Sequence, residues 1–333
     1  MSRCPDVPID HSTQSEYAIL MNNIVFIADP LESFDPKAET TFFFMKEIQR
    51  RKGICYHVEL KDLYLKNDTV KAIAKQVSIT HKKGIFSYKV TKTITLNLEK
   101  VDAVFLRKDP PFDLAYLDHL SILEFLHGKT FMVNNPSGIK LANEKILTMH
   151  FKDYIADTLV SQNKEIIFDF IKKHKTAILK PVNLSGGREI VRVSSKDTSL
   201  NSLIDILTKN GSRYIIAQEY IPEAVKGDKR ILLLDGEVLG AFNRVPSKKD
   251  FRGNLHSGAK LAKAKLTKRD LEIIHKVKDS LDHLGLYFIG LDLLGNKLTE
   301  INSTSPMGIR EINENMKTCV EKRVMDWLEK QLA

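Results

Sequence analysis

The stretch Gly290–Ile312, GLDLLGNKLTEINSTSPMGIREI, decides how the rest of this chain is read. It opens as an apolar strand broken by one carboxylate, Asp292. Gly295 and Asn296 follow, two residues that tolerate positive φ and so supply a turn. A second alternating segment then carries Glu300 and, two positions on, Asn302. Side chains alternate sides along a strand, so the length of the turn sets which of them share a face. A two-residue turn would put Asp292 and Glu300 on opposite faces. A three-residue turn over Gly295, Asn296 and Lys297 pairs them directly, with facing Cβ atoms roughly 5 Å apart and Asn302 on the same side. Two carboxylates that close repel unless a cation lies between them or one keeps a proton. Oxygen donors of this kind suit a hard divalent ion, Mg²⁺ accompanying a nucleotide. An acidic pair alone on a hairpin edge is more often a solvated edge, so the assignment depends on what the rest of the chain supplies.

The 333 residues suffice for two or three domains with substantial cores. Composition is that of a soluble globular protein, 28% charged and 43% hydrophobic. Lys plus Arg exceed Asp plus Glu by 51 to 42, a net +9 that permits polyanionic partners without requiring them. The basic residues are scattered apart from Lys260, Lys263, Lys265, Lys268 and Arg269, and exposed aromatics are not interleaved with them. A nucleic-acid partner is therefore not expected. Cys4, Cys55 and Cys319 are widely spaced and form no CxxC pair, which fits a reducing cytoplasm and argues against a disulfide framework or a zinc site. No apolar run approaches a membrane span, and the first twenty residues lack a signal-type apolar core. A cytoplasmic protein without a membrane partner is expected.

In chain order, residues 1–20 read as a loose extension and residues 21–142 as an amino-terminal α/β unit. IVFIAD, ICYHVEL, VDAVFLRK and FMVNN are strands separated by helical patterns, the rhythm of a right-handed, mostly parallel sheet. Residues 70 to 98 look like several short alternating strands appended to it. A boundary is expected near Asn143. Residues 143–222 then form an α+β unit with strands TAILKPV, VRVSS and YIIAQEYI, and residues 223–333 carry a hairpin around Asp235–Gly236, a helix and the opening stretch. PSKKDFRGNLHSGAK (246–260), rich in Gly, Ser and charge, reads as a loop. GKT at Gly128 precedes a strand and has Leu123 where a P-loop needs glycine. GxGxxG, HExxH and GxSxG patterns are absent.

Within this frame several residues can carry chemistry. Lys180 lies inside the apolar run AILKPV, where a lysine is rarely tolerated unless its charge is compensated. Ser185, Gly186 and Gly187 follow, and a loop of this kind can present backbone N–H groups to an anion. Gln218, Glu219, Tyr220 and Ile221 end a strand and can offer backbone groups to a purine edge, while Asp228 can accept from ribose hydroxyls. Arg230, Arg244, Arg252 and Arg310 can grip carboxylates and a phosphoryl group bidentately. Arg107 and Lys108 close a strand at the end where open α/β sheets bind ligands.

NEK (143–145), ILKP (178–181) with its glycine loop, QEYI (218–221), GDKR (227–230), RGN (252–254) and D…TEIN…SP…IREI occur in one order. The arrangement resembles the ATP-grasp superfamily and, within it, the prokaryotic-type glutathione synthetases. KDLYL at Lys61 and RKDPPFD at Arg107 match that family's amino-terminal domain. The resemblance implies an α/β chain with an α+β lid, in which a Rossmann-like open sheet (21–142) precedes a two-part ATP-grasp fold, lid 143–222 and catalytic part 223–333. It implies that Lys145 and Lys180 hold nucleotide phosphates under the Ser185–Gly187 loop, that Glu219 and Ile221 frame adenine, and that Asp228 faces ribose. Asp292, Glu300 and Asn302 would bind Mg²⁺, with Mn²⁺ as the alternative ion. Arg230, Asn254 and Arg310 would contact substrate or the transferring phosphate, with Arg252 in the RGN motif of a lid loop spanning 247–260. The implied reaction joins γ-glutamylcysteine to glycine with ATP as co-substrate; the alternative is another ATP-grasp carboxylate–amine ligase of the D-alanine or glutamate type. A homo-oligomer, dimer or tetramer, is expected. Two places depart from the family pattern: Arg188 stands where a small residue is expected after the glycines, and the motif SPMGIRE carries Met307–Gly308 where close relatives tend to carry other residues.

Overall fold

The computed structural model describes residues 22–246 and 259–333. The amino-terminal unit is built on four parallel strands, β1 (Asn23–Ala28), β2 (Ile54–Val58), β6 (Ala103–Arg107) and β7 (Phe131–Val133), in the order β2-β1-β6-β7. Strands covered on both faces need continuous apolar runs, and Ile24 to Ile27 and Ala103 to Phe105 are completely buried. Crossovers are made by α1 (Thr40–Arg50) and α2 (Leu114–Leu123), followed beyond β7 by α3 (Pro136–Leu141). Side-chain caps fix where the helices start: Glu39 accepts from Thr41 N, Asp113 from Tyr116 N, and Asn135 from Ser137 N.

The region from 70 to 98 differs from the expected set of short strands. It is one long hairpin, β4 (Thr69–Lys82) and β5 (Ile85–Asn97), turning at Lys83–Gly84 and joined to the sheet by β3 (Leu63–Lys66) and by β4 pairing antiparallel with β2. A register irregularity between Gln76 and Val77 breaks the apolar–polar alternation midway, so one strand reads as two in sequence.

The second sheet is antiparallel, in the order β10-β9-β11-β8: β8 (Thr158–Ser161), β9 (Thr176–Pro181), β10 (Val191–Ser194) and β11 (Ile215–Glu219). Helices α4 (Lys164–His174) and α5 (Leu200–Thr208) pack with it around Ile167, Ile171, Leu200 and Ile204 against Ala177, Leu179, Val193, Ile215 and Ala217. Ala177 and Leu179 alternate with Ile178 and Lys180, so the lysine faces away from that core. The third sheet is also antiparallel, order β14-β13-β12-β15-β16: β12 (Asp228–Leu234), β13 (Glu237–Val245), β14 (Lys260–Lys263), β15 (Phe288–Leu294) and β16 (Lys297–Asn302). Helices α6 (Lys268–His283), α7 (Ile309–Met316) and α8 (Val320–Leu332) complete the chain. The core is shared between units, with Val25, Ile27, Val104 and Leu106 in one buried cluster with Ile231, Ile289, Leu291 and Ile301. Buried Asn134 rivets them: Nδ2 donates to the carbonyls of Phe288 (2.9 Å) and Ser303 (2.7 Å), and Oδ1 accepts from Phe288 N (2.8 Å).

Two expectations need correcting. The β15–β16 turn has two residues, Gly295 and Asn296, because Leu294 pairs with Lys297; Gly295 carries φ +59°, as a type II′ turn requires. Asp292 nevertheless stands opposite Glu300, because a bulge places Thr299 as the extra residue. Thr299 Oγ1 donates to Asp292 O at 2.9 Å across that irregularity. The parity change thus comes from a bulge in the strand rather than from a longer turn. The second correction concerns cysteine: Cys55 is buried and free, but Cys319 is disulfide-bonded. Spacing along the chain does not report approach in space, so cysteine usage gives no support for a reducing compartment. Among the described residues, no helix is long and apolar enough to cross a membrane.

Candidate active site

Directly opposed residues of an antiparallel ladder share a face, and here they assemble a row of charge. Glu300 faces Asp292 across β16–β15, Asp292 faces Arg230 across β15–β12, and one step along, Asp228 faces Arg244 across β12–β13. Arg230 grips both oxygens of Asp292, Nε to Oδ1 and Nη2 to Oδ2 at 2.8 Å. Arg244 Nη2 bridges Asp228 and Asp292 Oδ2, the latter at 2.9 Å. Gly290 makes room for this: a Cβ there would meet the Arg230 side chain at 3.3 Å and Pro306 at 3.1 Å. Burial alone would push the Asp292 carboxyl up, but the two guanidinium groups override it and hold it far below the usual carboxylate range. At Asp228 burial prevails over Arg244, helped by the charge on Asp292, and lifts the carboxyl to about 6.

Both lysines join this face from other elements. Lys145 Nζ lies 2.8 Å from Glu300 Oε1 and donates to Leu184 O at 2.6 Å. Lys180 Nζ donates to Gln218 Oε1 at 3.2 Å, and Gln218 Nε2 to Thr158 Oγ1 at 2.9 Å. Burial depresses Lys180 to about 8 against the pull of Glu300, with Lys145 adding to the depression. At Lys145 burial acts the same way, but Glu300 outweighs it and the pKa is raised. The face therefore holds two buried ammonium groups beside two carboxylates, Glu300 and Asp292, which suits a polyanion bound together with a cation.

Glu144 is a residue that sequence reasoning missed. Its Oε1 accepts from Ser303 N (2.9 Å), Thr304 N (3.0 Å) and Thr304 Oγ1 (2.9 Å), and its carbonyl from Ile301 N (2.8 Å). It buttons the segment bearing Lys145 onto the end of β16. Its place between Asn143 and Lys145 in the NEK motif was the available signal.

Gly186 and Gly187 carry φ of +70° and +73° in the loop with Ser185, and that loop lies next to Lys145 through Leu184. At the strand end, Glu219 N donates to Asp157 O and Tyr220 N to Thr176 O; Ile221 is buried and Arg192 stacks on the Tyr220 ring at 4.2 Å. Arg310 pairs along its own helix with Glu314 (3.0 Å), so the structure does not bring it into the charge cluster. Asn302 donates Nδ2 to Gly290 O at 3.1 Å. Arg252 and Asn254, and most of the expected lid loop, lie outside the described residues.

Comparison with known proteins gives this geometry a family. Residues 22–140 match the family model of the prokaryotic glutathione synthetase N-terminal domain, and residues 144–317 that of the prokaryotic glutathione synthetase ATP-grasp domain. The glutathione synthetase of Synechocystis sp. is 38% identical over 319 residues, covering 92% of this chain and 99% of that protein. That of Wigglesworthia glossinidia brevipalpis is 38% identical over 315 residues, covering 94% and 99%. Among solved structures, D-cycloserine synthetase DcsG superposes with a TM-score of 0.65 at 13% identity, over 93% of this chain and 100% of that one. D-alanyl-alanine synthetase A from Vibrio cholerae gives 0.61 at 12% identity, over 95% and 99%. The structural likenesses show the ATP-grasp fold alone. Together with two family models that span most of its length, the curated relatives show that the chain belongs to the prokaryotic glutathione synthetase family.

Proposed function

We propose that this chain carries out its family's reaction, ATP-dependent synthesis of glutathione from γ-glutamylcysteine and glycine, on the charged face of the third sheet. The observation that carries the proposal is Lys145, brought from another segment onto Glu300 and Leu184 O beside the Asp292–Arg230 pair, with buried Lys180 near enough to feel the charges of Glu300 and Asp292. Lys145 and Lys180 would hold the nucleotide phosphates. Gln218 to Ile221 would line adenine and Asp228 would meet the ribose. Arg230 would neutralise charge on the phosphoryl group or acid, and Arg252, Asn254 and Arg310 would contact substrate or the transferring phosphate.

The donors Asp292, Glu300 and Asn302 fit Mg²⁺. They are hard oxygen ligands on one face, and Asn302 spends only its amide nitrogen on Gly290. The ion would supply charge neutralisation at the phosphates. The protein's own part is to bind, orient and exclude water. A carboxylate is a poor electrophile, so an oxygen of the γ-glutamylcysteine carboxylate attacks the γ-phosphorus and ADP leaves. The glycine nitrogen then attacks the resulting acyl phosphate, phosphate departs, and a proton is lost from nitrogen. Positioning and fixed positive charge lower both barriers. Fold likeness to D-alanyl-alanine synthetase A does not favour a D-alanine ligase, since the sequence relatives are glutathione synthetases. A cytoplasmic homo-oligomer completes the reading. ADP release measured across a panel of acids and amines tests it: turnover confined to γ-glutamylcysteine with glycine is expected, and preference for another pair refutes it.

A further inference from the structure

Arg188 makes two contacts that tie the glycine loop to the amino-terminal unit. Its Nε donates to Ser185 O at 3.2 Å, closing the loop on itself. Its Nη2 donates to Pro110 O at 3.3 Å, in the turn that follows β6. A second bond joins the same segments, Phe112 N to Asn183 O at 3.1 Å. On its far side the loop is anchored by Glu189, whose Oε2 lies 2.7 Å from Nη2 of Arg213 in the turn before β11. Lys145 holds Leu184 O from below. The two acceptors of Arg188 lie on separate segments, and a planar guanidinium can serve both at once from different nitrogens. A lysine would have to reach both from one point.

We propose that Arg188 is a positioning residue: it latches the glycine loop onto the Pro110–Phe112 turn before nucleotide arrives, so that the phosphate cover is preorganised by the amino-terminal unit. The inference rests on the reading of this loop as the phosphate cover. Both acceptors are neutral carbonyls, so the bonds depend on the directions of the donors and not on charge pairing. Their joint loss shifts loop opening by about tenfold, the order expected for two surface hydrogen bonds from a charged donor. Ordering that the latch supplies in advance then has to come from nucleotide binding.

The test uses the full-length chain without ligand. Hydrogen exchange is followed in Arg188→Ala, Arg188→Lys and wild type, and KM for ATP and kcat are measured with the substrates saturating. Both variants should exchange about tenfold faster over residues 183–189 and at the Phe112 amide, with exchange elsewhere unchanged. KM for ATP should rise several-fold while kcat changes little. Unchanged exchange in Arg188→Ala overturns the latch. Recovery of both exchange and KM by Arg188→Lys assigns the effect to charge and overturns it too, as does faster exchange with an unmoved KM. Lys180→Met serves as the control for the underlying reading. If ATP binds Lys180→Met normally, the site assignment itself has failed. If Lys180→Met loses ATP while Arg188→Ala behaves as wild type, only the latch has failed.

Discussion

Replacing Lys180 by methionine should make the ligand-free protein more stable while removing its grip on ATP. Lys180 sits on β9 almost wholly buried, and its one hydrogen-bond acceptor among the described residues, Gln218 Oε1, is neutral. Burial brings its pKa from the ordinary 10.5 to about 8, a gap equivalent to ~3 kcal/mol of penalty on the charged form. Because the folded pKa is the lower one, the unfolded chain binds the proton more tightly. The penalty is complete below about pH 8 and fades as pH rises toward 10.5. Methionine preserves length and apolar contact but leaves Gln218 Oε1 unpaired, which costs about 1 kcal/mol. The net expectation at pH 7 is a gain of ~2 kcal/mol, shrinking with alkalinity and reversing near about pH 10. Urea unfolding of wild type and variant at pH 7, 8.5 and 10 reads this directly. Saturating ATP should then stabilise the wild type and leave the variant unmoved. A variant less stable than wild type at pH 7, or a difference that ignores pH, would show that Lys180 is not held as an unwelcome buried cation.

Three further outcomes follow from the same geometry. Glu300→Gln keeps the shape but removes the partner 2.8 Å from Lys145, and ADP release should fall by about 10²–10³-fold with the fold retained; near-normal kinetics would sink its role. Asp292→Asn strands Arg230 in a buried site and leaves Arg244 with Asp228 alone, and should cost about 3–5 kcal/mol in urea unfolding at pH 7. Since the arginines hold the Asp292 carboxyl far below its ordinary range, its contribution is present above about pH 3.9 and lost as pH falls below that, so the two unfolding curves should converge in strong acid. Asn134→Ala removes three buried hydrogen bonds between β7 and the β15–β16 region and should cost about 3 kcal/mol. If calorimetry finds its melting transition unshifted, Asn134 does not rivet the units.

The parts of the site legible in the sequence are those where an exceptional residue sits in a regular pattern. A lysine in an apolar strand, a glycine pair after it, and carboxylates in an alternating hairpin each violate a local rule, and such violations mark function. Parallel strands were legible as well, because burial on both faces demands unbroken apolar runs such as IVFIA. Partnership was not legible. Nothing local to Arg244 says that it bridges Asp228 and Asp292, since those three residues meet only once β12, β13 and β15 are side by side. Glu144 and Asn134 satisfy backbone groups more than 150 positions away. The bulge at Thr299 escaped for a related reason: an extra residue inside a strand and an extra residue in a turn give the same count between Asp292 and Glu300.

That ambiguity had a consequence for how the site is built. A three-residue turn would have paired Asp292 with Glu300 through a regular ladder. The two-residue turn does so with the irregularity beside the pair, and Asp292 stays on paired backbone next to the strand that carries Arg230. The positions of these charges are thereby set by strand spacing and pleat. Lys180 approaches from the second sheet, while Lys145 is tied to the ladder through Glu300 and through the bonds of Glu144 at the end of β16. A row of carboxylates and arginines fixed by strand spacing, with one lysine tied to it and another brought from the second sheet, suits the phosphoryl transfer proposed for this face.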